Sequence, residues 1–121
     1  MSDLAWRARE RARVYGRTRV GCGVVTDLDE LFSGCNIEHR FRSHDIHAEV
    51  SALSRVVSEG AQGQVIAILV VAERDNFTPC GACTDWIFEL CGGATLVGFQ
   101  REPGAPIAWR SAAELMPFYP S

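Results

Sequence analysis

Two short clusters of residues in this sequence could carry chemistry together: His47-Ala48-Glu49 and Pro79-Cys80-Gly81-Ala82-Cys83. Residues three apart on a helix share a face, so the sulfur atoms of Cys80 and Cys83 can reach one metal ion. A helix N-terminus favours negative charge, which lowers the pKa of a thiol and helps to supply thiolates. With the imidazole of His47, the two cysteines make three candidate ligands for zinc.

A zinc ion with three protein ligands keeps a fourth position for water, and this is typical of a catalytic site. The ion can lower the pKa of that water from about 16 to roughly 7, which makes a competent nucleophile at neutral pH. A hydrolytic reaction also needs a proton carrier, and Glu49 can serve as one. Side chains lean back toward the N-terminal end of a helix, so Glu49 can lie beside the metal without binding it.

Each cluster alone is weakly diagnostic, but their combination is the signature of zinc-dependent nucleobase deaminases. Both clusters fall at the starts of predicted helices, and a proline precedes the first cysteine. Two non-catalytic interpretations stay open: a zinc-stabilised interaction domain, and a redox pair with an unrelated histidine. A purely structural zinc usually has a fourth protein ligand, and Glu49 would have no role in such a domain.

Hydrophobic periodicity predicts the elements that position these clusters. The predicted helices are Asp3 to Tyr15, His47 to Glu59, Gly81 to Cys91 and a last turn from Ser111 to Leu115. The predicted strands are Val20 to Thr26, Leu31 to Ile37, Gln64 to Ala72, Thr95 to Phe99 and Ile107 to Trp109. Polar loops are predicted from Glu38 to Ile46 and from Arg74 to Pro79. This order predicts an α/β fold, a three-layer α/β/α sandwich around one mixed five-stranded sheet.

The composition is that of one small domain. The chain has 121 residues, of which 47% are hydrophobic, and we expect residues 1–121 to form a single deaminase domain. No stretch approaches the length of a membrane span, and the N-terminal residues lack the apolar core of a signal peptide. The five cysteines are an odd number and include a Cys-x-x-Cys pair, which favours a reducing compartment. We therefore expect a cytoplasmic protein.

The positive charge is unevenly distributed along the chain. Lysine is absent, and six of the arginines lie in the first 19 residues: Arg7, Arg9, Arg11, Arg13, Arg17 and Arg19. They could form a patch that binds phosphate or nucleic acid, or simply solvate the face of a helix. The net charge of -3 and the pI of about 5.6 argue against a nucleic-acid editing enzyme. No nucleic-acid or membrane partner is expected.

The chain resembles the cytidine deaminase family of small nucleoside deaminases, which includes blasticidin-S deaminase. The resemblance covers most of the chain and rests on both clusters and on three further segments. These are Val20-Gly21-Cys22-Gly23, Gly34-Cys35-Asn36-Ile37-Glu38 and Leu115-Met116-Pro117-Phe118, which are similar to the family's first strand, its nucleoside-binding segment and its C-terminal segment.

The resemblance implies a role for each matching residue. His47, Cys80 and Cys83 would hold zinc, Glu49 would be the catalytic proton shuttle, Asn36 and Glu38 would bind ribose hydroxyls, and the backbone of Ala48 would contact the base. It implies deamination of cytidine or deoxycytidine to the uracil nucleoside and ammonia, in pyrimidine salvage. It also implies a homotetramer whose neighbouring subunits complete each active site.

The sequence departs from the family pattern near the substrate. Many members have phenylalanine where this chain has Thr18, and small residues and a tyrosine where it has Arg40, Phe41 and Arg42. Phe41 could supply the missing stacking surface for the base. These departures leave a modified cytosine nucleoside such as blasticidin S, a nucleotide or another amino-heterocycle as alternative substrates.

Many small members also have a third cysteine in place of His47 and an arginine in place of Val50. The two changes can be linked. Zinc with two thiolates and a neutral imidazole carries no net charge, so it needs less compensation than zinc with three thiolates.

Overall fold

The computed structural model of the chain describes residues 1–16, 18–74 and 79–119. The helices are α1 (Ser2–Arg9), α2 (Ala48–Ser58), α3 (Gly81–Cys91) and α4 (Ala112–Leu115), with a 3-10 turn at Arg42–His44. The strands are β1 (Gly21–Thr26), β2 (Leu31–Cys35), β3 (Val65–Val71), β4 (Leu96–Gln100) and β5 (Ala108–Ser111). Within the described ranges, no helix combines the length and apolar character needed to cross a membrane.

The five strands form one sheet in the order β2-β1-β3-β4-β5. Strand β1 pairs antiparallel with both β2 and β3, and its Cys22 lies opposite Gly34 on one side and Val70 on the other. Strands β3 and β4 are parallel, and β5 returns antiparallel to β4. The predicted mixed five-stranded sheet is therefore confirmed.

Helices cover both faces of this sheet. On one face, Val24 and Ile68 belong to the same buried cluster as Leu53 of α2 and Ile87 of α3. On the other face, the next residue of β3, Leu69, packs with Ala5 and Trp6 of α1. Successive side chains of a strand point to opposite faces, so β3 supplies both cores and its uninterrupted apolar run is explained. The three layers predicted from the sequence are confirmed.

Glycines let the helices approach the sheet closely. A Cβ added at Gly34 of β2 would collide with the backbone of Ala48 and Ala52 in α2. A Cβ at Gly21 of β1 would likewise collide with the backbone of α1, at Ala5 and Arg9. The start of α2, which carries the first chemical cluster, therefore lies directly on the sheet.

The first helix is shorter than the sequence predicts. We expected a surface helix from Asp3 to Tyr15, but α1 ends at Arg9, so the prediction is wrong for its second half. The chain turns there because Arg13 pairs with the segment after β2: its N–H donates to the carbonyl of Asn36 at 3.1 Å, and its carbonyl accepts from the N–H of Glu38 at 2.7 Å. Tertiary pairing overrides the helical spacing, and α1 packs on the sheet through two buried residues.

The loop predicted from Glu38 to Ile46 contains the short 3-10 turn and is closed at its base. Ile37 and Ile46 exchange both backbone hydrogen bonds, at 2.8 and 2.9 Å. The loop predicted from Arg74 to Pro79 includes residues 75–78, which lie outside the described residues, as does Arg17 of the arginine-rich segment. The closed base brings the two ends of the 38–46 loop together.

Candidate metal centre and adjoining cavity

Both chemical clusters lie at helix starts, as the sequence predicts. His47 is the N-cap residue of α2, and Cys80 is the N-cap residue of α3. The sulfur of Cys80 accepts a hydrogen bond from the N–H of Cys83 at 3.5 Å, which is the capping role usually played by a serine or aspartate oxygen. The helix starts therefore fix the backbone of all three candidate ligands.

The three candidate ligands converge on one point. The Nδ1 atom of His47 lies 3.3 Å from the sulfur of Cys83 and 3.4 Å from the sulfur of Cys80. One donor atom from each of the three residues falls within 4.8 Å of the others. Tetrahedral zinc, with bonds of about 2.3 Å to sulfur and about 2.1 Å to nitrogen, separates such atoms by about 3.6 Å. Two sulfurs and an imidazole at this spacing fit zinc in both chemistry and size.

The thiol of Cys83 does not have the lowered pKa that its helix position predicts. Burial raises the pKa of this thiol well above its ordinary value, and the negative charge of Glu49 raises it further. Only 1% of the residue is exposed, so loss of hydration outweighs the field of the helix N-terminus. Metal ligation requires a deprotonated thiol, so metal binding here must release a proton.

Glu49 lies directly beside the cluster. It is 2% exposed, and burial raises the pKa of its carboxyl above the ordinary value. Three interactions oppose that rise: a hydrogen bond from its own backbone N–H, the charge of His47, and a hydrogen bond from the thiol of Cys83. A buried carboxyl whose pKa is moved toward neutrality is suited to carry protons.

A cavity of about 230 Å³ adjoins this cluster. Four of its lining residues belong to or adjoin the cluster of candidate ligands: His47, Ala48, Glu49 and Cys80. Together with Cys83 we call them the metal end. Four further lining residues are polar or charged, Asn36, Glu38, Arg42 and Asp45, and we call them the polar end; Thr18 and Val20 also contribute to the wall. The cavity is therefore lined by six of the residues that the sequence analysis singled out for metal, proton and substrate: Asn36, Glu38, His47, Ala48, Glu49 and Cys80.

The amide of Asn36 is partly used by the protein itself. Its Oδ1 accepts from the N–H of Val20 at 2.9 Å, and its Nδ2 donates to the carbonyl of Thr18 at 3.0 Å. These bonds fix the segment before β1 as one wall of the cavity. An amide has two donor hydrogens and two acceptor lone pairs, so one of each is left for a ligand.

The carboxylate of Glu38 is held even more firmly. Its Oε1 accepts from the N–H groups of Tyr15 and Gly16, at 2.7 and 2.9 Å. Its Oε2 forms an ion pair with Arg42 at 3.0 Å. Arg13, whose backbone pairing shortens α1, also supports this site. Its guanidinium donates to the backbone carbonyl of Glu38 at 2.8 Å.

Phe41 does not line the cavity. Its side chain is 61% exposed and contacts two histidine rings of the same loop, stacked on His39 and edge-on to His44. The predicted contact between Phe41 and the substrate base stays a prediction.

Three charged residues of the cavity wall were not proposed as site residues from the sequence: Arg42, Asp45 and Arg74. Arg42 stands four residues after Glu38 and three before Asp45, a charge spacing that could have indicated a local ion-pair network. Arg74 follows β3 without any local pattern, so only the fold could place it here.

A histidine and two cysteines meet at two helix starts beside a mixed five-stranded sheet, and a buried glutamate lies next to them. This combination defines a zinc-dependent deaminase. Residues 1–99 match the family profile described as the cytidine and deoxycytidylate deaminase zinc-binding region, and the chain belongs to this family.

Relatives and solved structures agree with this assignment. The chain is 34% identical over 113 residues to a cytidine deaminase of Sporosarcina psychrophila, which covers 92% of this chain and 82% of that protein. It is 36% identical over 115 residues to a cytidine deaminase of Halalkalibacterium halodurans, with 93% and 86% covered. A crystal structure of cytidine deaminase from Burkholderia pseudomallei superposes with a TM-score of 0.89 at 33% identity, covering 96% of this chain and 93% of that one.

Proposed function

We propose that this chain hydrolyses the exocyclic amine of cytidine and deoxycytidine, giving the uracil nucleoside and ammonia. The observation that carries the proposal is a single cavity that adjoins the cysteine–histidine cluster and is lined by buried Glu49, Asn36 and Glu38. The chain is also 33–36% identical over most of its length to three proteins named cytidine deaminase. The comparisons give no support to blasticidin S or another amino-heterocycle as the main substrate.

His47, Cys80 and Cys83 would hold the zinc ion of this enzyme. When bound, zinc would supply a lowered pKa for the water that attacks the base. The proposal is supported by the mutual distances of the three donor atoms and by their chemistry, because sulfur and imidazole donors suit zinc.

Glu49 would move the protons of the reaction. Its carboxyl is buried beside Cys83 at the metal end, so it lies within reach of both the attacking water and the base. A carboxylate there can accept a proton from water and deliver it first to a ring nitrogen and then to the departing amine. A raised pKa assists the delivery, because it brings the carboxyl closer to working pH.

Asn36 and Glu38 would bind the sugar, and the start of α2 would contact the base. Each of these two side chains keeps hydrogen-bonding capacity on the cavity side after its contacts with the protein are counted. Ala48 is the first residue of α2, so its N–H has no acceptor within the helix and can donate to a ligand.

The enzyme would work as a cytoplasmic homotetramer in pyrimidine salvage. Exposed apolar side chains on and near α3 support an assembly, with Trp86 50% exposed and Phe118 95% exposed. All five cysteines are free, which suits a reducing compartment. Sedimentation velocity of the zinc-loaded protein tests the tetramer, and a monomer at micromolar concentration would contradict it.

An ultraviolet assay tests the reaction. Zinc-loaded protein is given cytidine, deoxycytidine, cytosine, cytidine monophosphate and blasticidin S, with the Glu49→Gln variant as the blank. We expect loss of the cytosine absorbance with the two nucleosides and little change with the other three. If protein that holds one zinc per chain causes no loss of absorbance with either nucleoside, the proposal is overturned.

A further inference from the structure

We propose that Arg42 is a positioning residue that clamps the 38–46 loop and thereby orients Glu38 toward a sugar hydroxyl. This inference rests on the proposed function, because it assigns the part of that function that depends on the sugar. Arg42 stands at a position where the chain departs from the family pattern, so the matching motifs assign it no role.

The guanidinium of Arg42 contacts two carboxylates at once. Its Nε donates to Oδ2 of Asp45 at 2.7 Å, and its Nη2 pairs with Oε2 of Glu38 at 3.0 Å. The carboxylates are shielded, with side chains 10% and 11% exposed, whereas the arginine side chain is 57% exposed. A planar guanidinium presents several donors in a fixed fork, so it can hold two acceptors in a set relation.

The two carboxylates belong to opposite ends of the loop. Glu38 begins the loop two residues after Asn36, and Asp45 lies next to its last residue, two residues before His47. The second oxygen of Asp45 accepts from the N–H of His39 at 2.7 Å, which draws the end of the loop back onto its beginning. Arg42 therefore links the segment that would bind the sugar to the segment that would bind the metal.

The contact with Arg42 leaves Glu38 one acceptor position for a ligand. Two backbone N–H groups occupy Oε1, and Arg42 occupies one side of Oε2. A carboxylate oxygen accepts two hydrogen bonds, so Oε2 keeps one acceptor position for a ligand hydroxyl. Without Arg42, water would take its place, and Oε2 would no longer be held at a fixed distance from the loop end.

The test compares Arg42→Ala with wild type in both turnover and binding. In the ultraviolet assay, we expect KM for cytidine to rise roughly fivefold, which is the size of effect typical of a partly exposed ion-pair network. We expect kcat to stay within about twofold of the wild-type value. Calorimetry then measures binding of uridine and of 2′,3′-dideoxyuridine, which lacks the 2′- and 3′-hydroxyls of the sugar. We expect the variant to lose uridine affinity by the same factor and dideoxyuridine affinity by less than twofold.

Two further variants sharpen the result. Arg40→Ala, two residues away in the same loop and outside the cavity wall, is the matched control and should bind both ligands as wild type does. Arg42→Lys keeps the charge but loses the fork, so we expect it to recover only part of the uridine affinity.

Several outcomes would overturn the clamp: equal losses for uridine and dideoxyuridine, no loss for either, or full recovery with lysine. A wild-type enzyme that leaves cytidine unchanged would instead refute the proposed function. The calorimetric comparison separates the two failures, because it measures sugar recognition without turnover.

Discussion

The two ends of the cavity are built in different ways. At the metal end, Cys83 and Glu49 are 1% and 2% exposed and stand in the first turns of helices that pack on the sheet. At the polar end, Asn36 and Glu38 lie outside the regular strands, and hydrogen bonds and an ion pair with their neighbours hold them in place. Helices that pack on the sheet fix one end, and polar contacts between segments outside the regular strands fix the other, where Asn36 and Glu38 are themselves buried.

Under the proposed function, this difference separates chemistry from recognition. A proton carrier needs a dry site with little freedom to move, and burial between helix and sheet provides one. Recognition of a sugar needs only a few oriented donors and acceptors, which loops can supply. Substitutions at the metal end should therefore lower kcat, and substitutions at the polar end should raise KM.

The largest effect is expected at Glu49. The Glu49→Gln substitution keeps the shape of the side chain but removes its proton-carrying role, so kcat for cytidine should fall by about 10³-fold. Zinc content, measured by mass spectrometry of metals, should stay at the wild-type level because Glu49 is not among the three clustered donors. A variant that keeps a tenth of the wild-type kcat would show that another group carries the protons.

The next largest effect is expected from a ligand cysteine. Cys83→Ser replaces a sulfur donor by a hydroxyl, so zinc affinity should fall by at least about tenfold and activity should fall with it. A competition titration with a chromophoric chelator measures this. Cys91→Ser is the matched control, because Cys91 is also a free cysteine of α3 but lies outside the donor cluster. Equal zinc affinity in the two variants would contradict the assigned ligand set.

Much of the metal end could be predicted from the sequence, because its determinants are local. Each cluster spans at most five residues, and a helix start fixes the relative positions of its side chains. The pKa of the Cys83 thiol could not be predicted in this way, since it depends on burial beneath the rest of the fold. The five-stranded sheet of the three-layer sandwich was also predictable, because each strand has its own apolar pattern.

The polar end depends on contacts between distant segments. The sequence indicated Asn36 and Glu38 only through family resemblance, and gave no sign that Arg13 would leave the first helix to pair beside them. Nor could it show that Arg42 contacts two carboxylates or that Arg74 reaches the cavity wall. Such contacts require the fold to be formed before they can be recognised.

An intermediate effect is expected at Asn36 of the polar end, which holds the cavity wall and would also bind the sugar. Asn36→Ala removes the acceptor for the buried N–H of Val20, so the free energy of unfolding should fall by about 1–3 kcal/mol. It also removes the proposed contact with the sugar, so KM should rise. Asn36→Asp keeps the acceptor for Val20 but sets a carboxylate oxygen against the carbonyl of Thr18, so it should also be less stable than wild type in urea denaturation. Wild-type stability in the aspartate variant would show that the hydrogen bond to Thr18 contributes nothing.

The smallest effect is expected at Glu30, which tests whether polar contacts matter to activity only near the cavity. Glu30 lies at the turn between β1 and β2, at the far end of a hairpin whose other end carries Asn36. Its two oxygens accept from the N–H groups of Gln62 and Gly63, at 2.9 and 2.7 Å. These bonds lower the pKa of its carboxyl below the ordinary value.

Because the pKa of Glu30 is lower in the folded chain than in the unfolded chain, the ionised carboxylate stabilises the fold. That contribution is complete above the ordinary glutamate pKa and is lost as the pH falls through the lowered folded value. Glu30→Gln should therefore be less stable than wild type in urea at pH 7, and the difference should shrink in acid. Its kcat and KM should match wild type, since a six-residue strand places the turn roughly 20 Å from the cavity. A raised KM in this variant would mean that a change at the hairpin turn alters the position of residues at the polar end. Sugar binding would then depend on polar contacts far from the cavity.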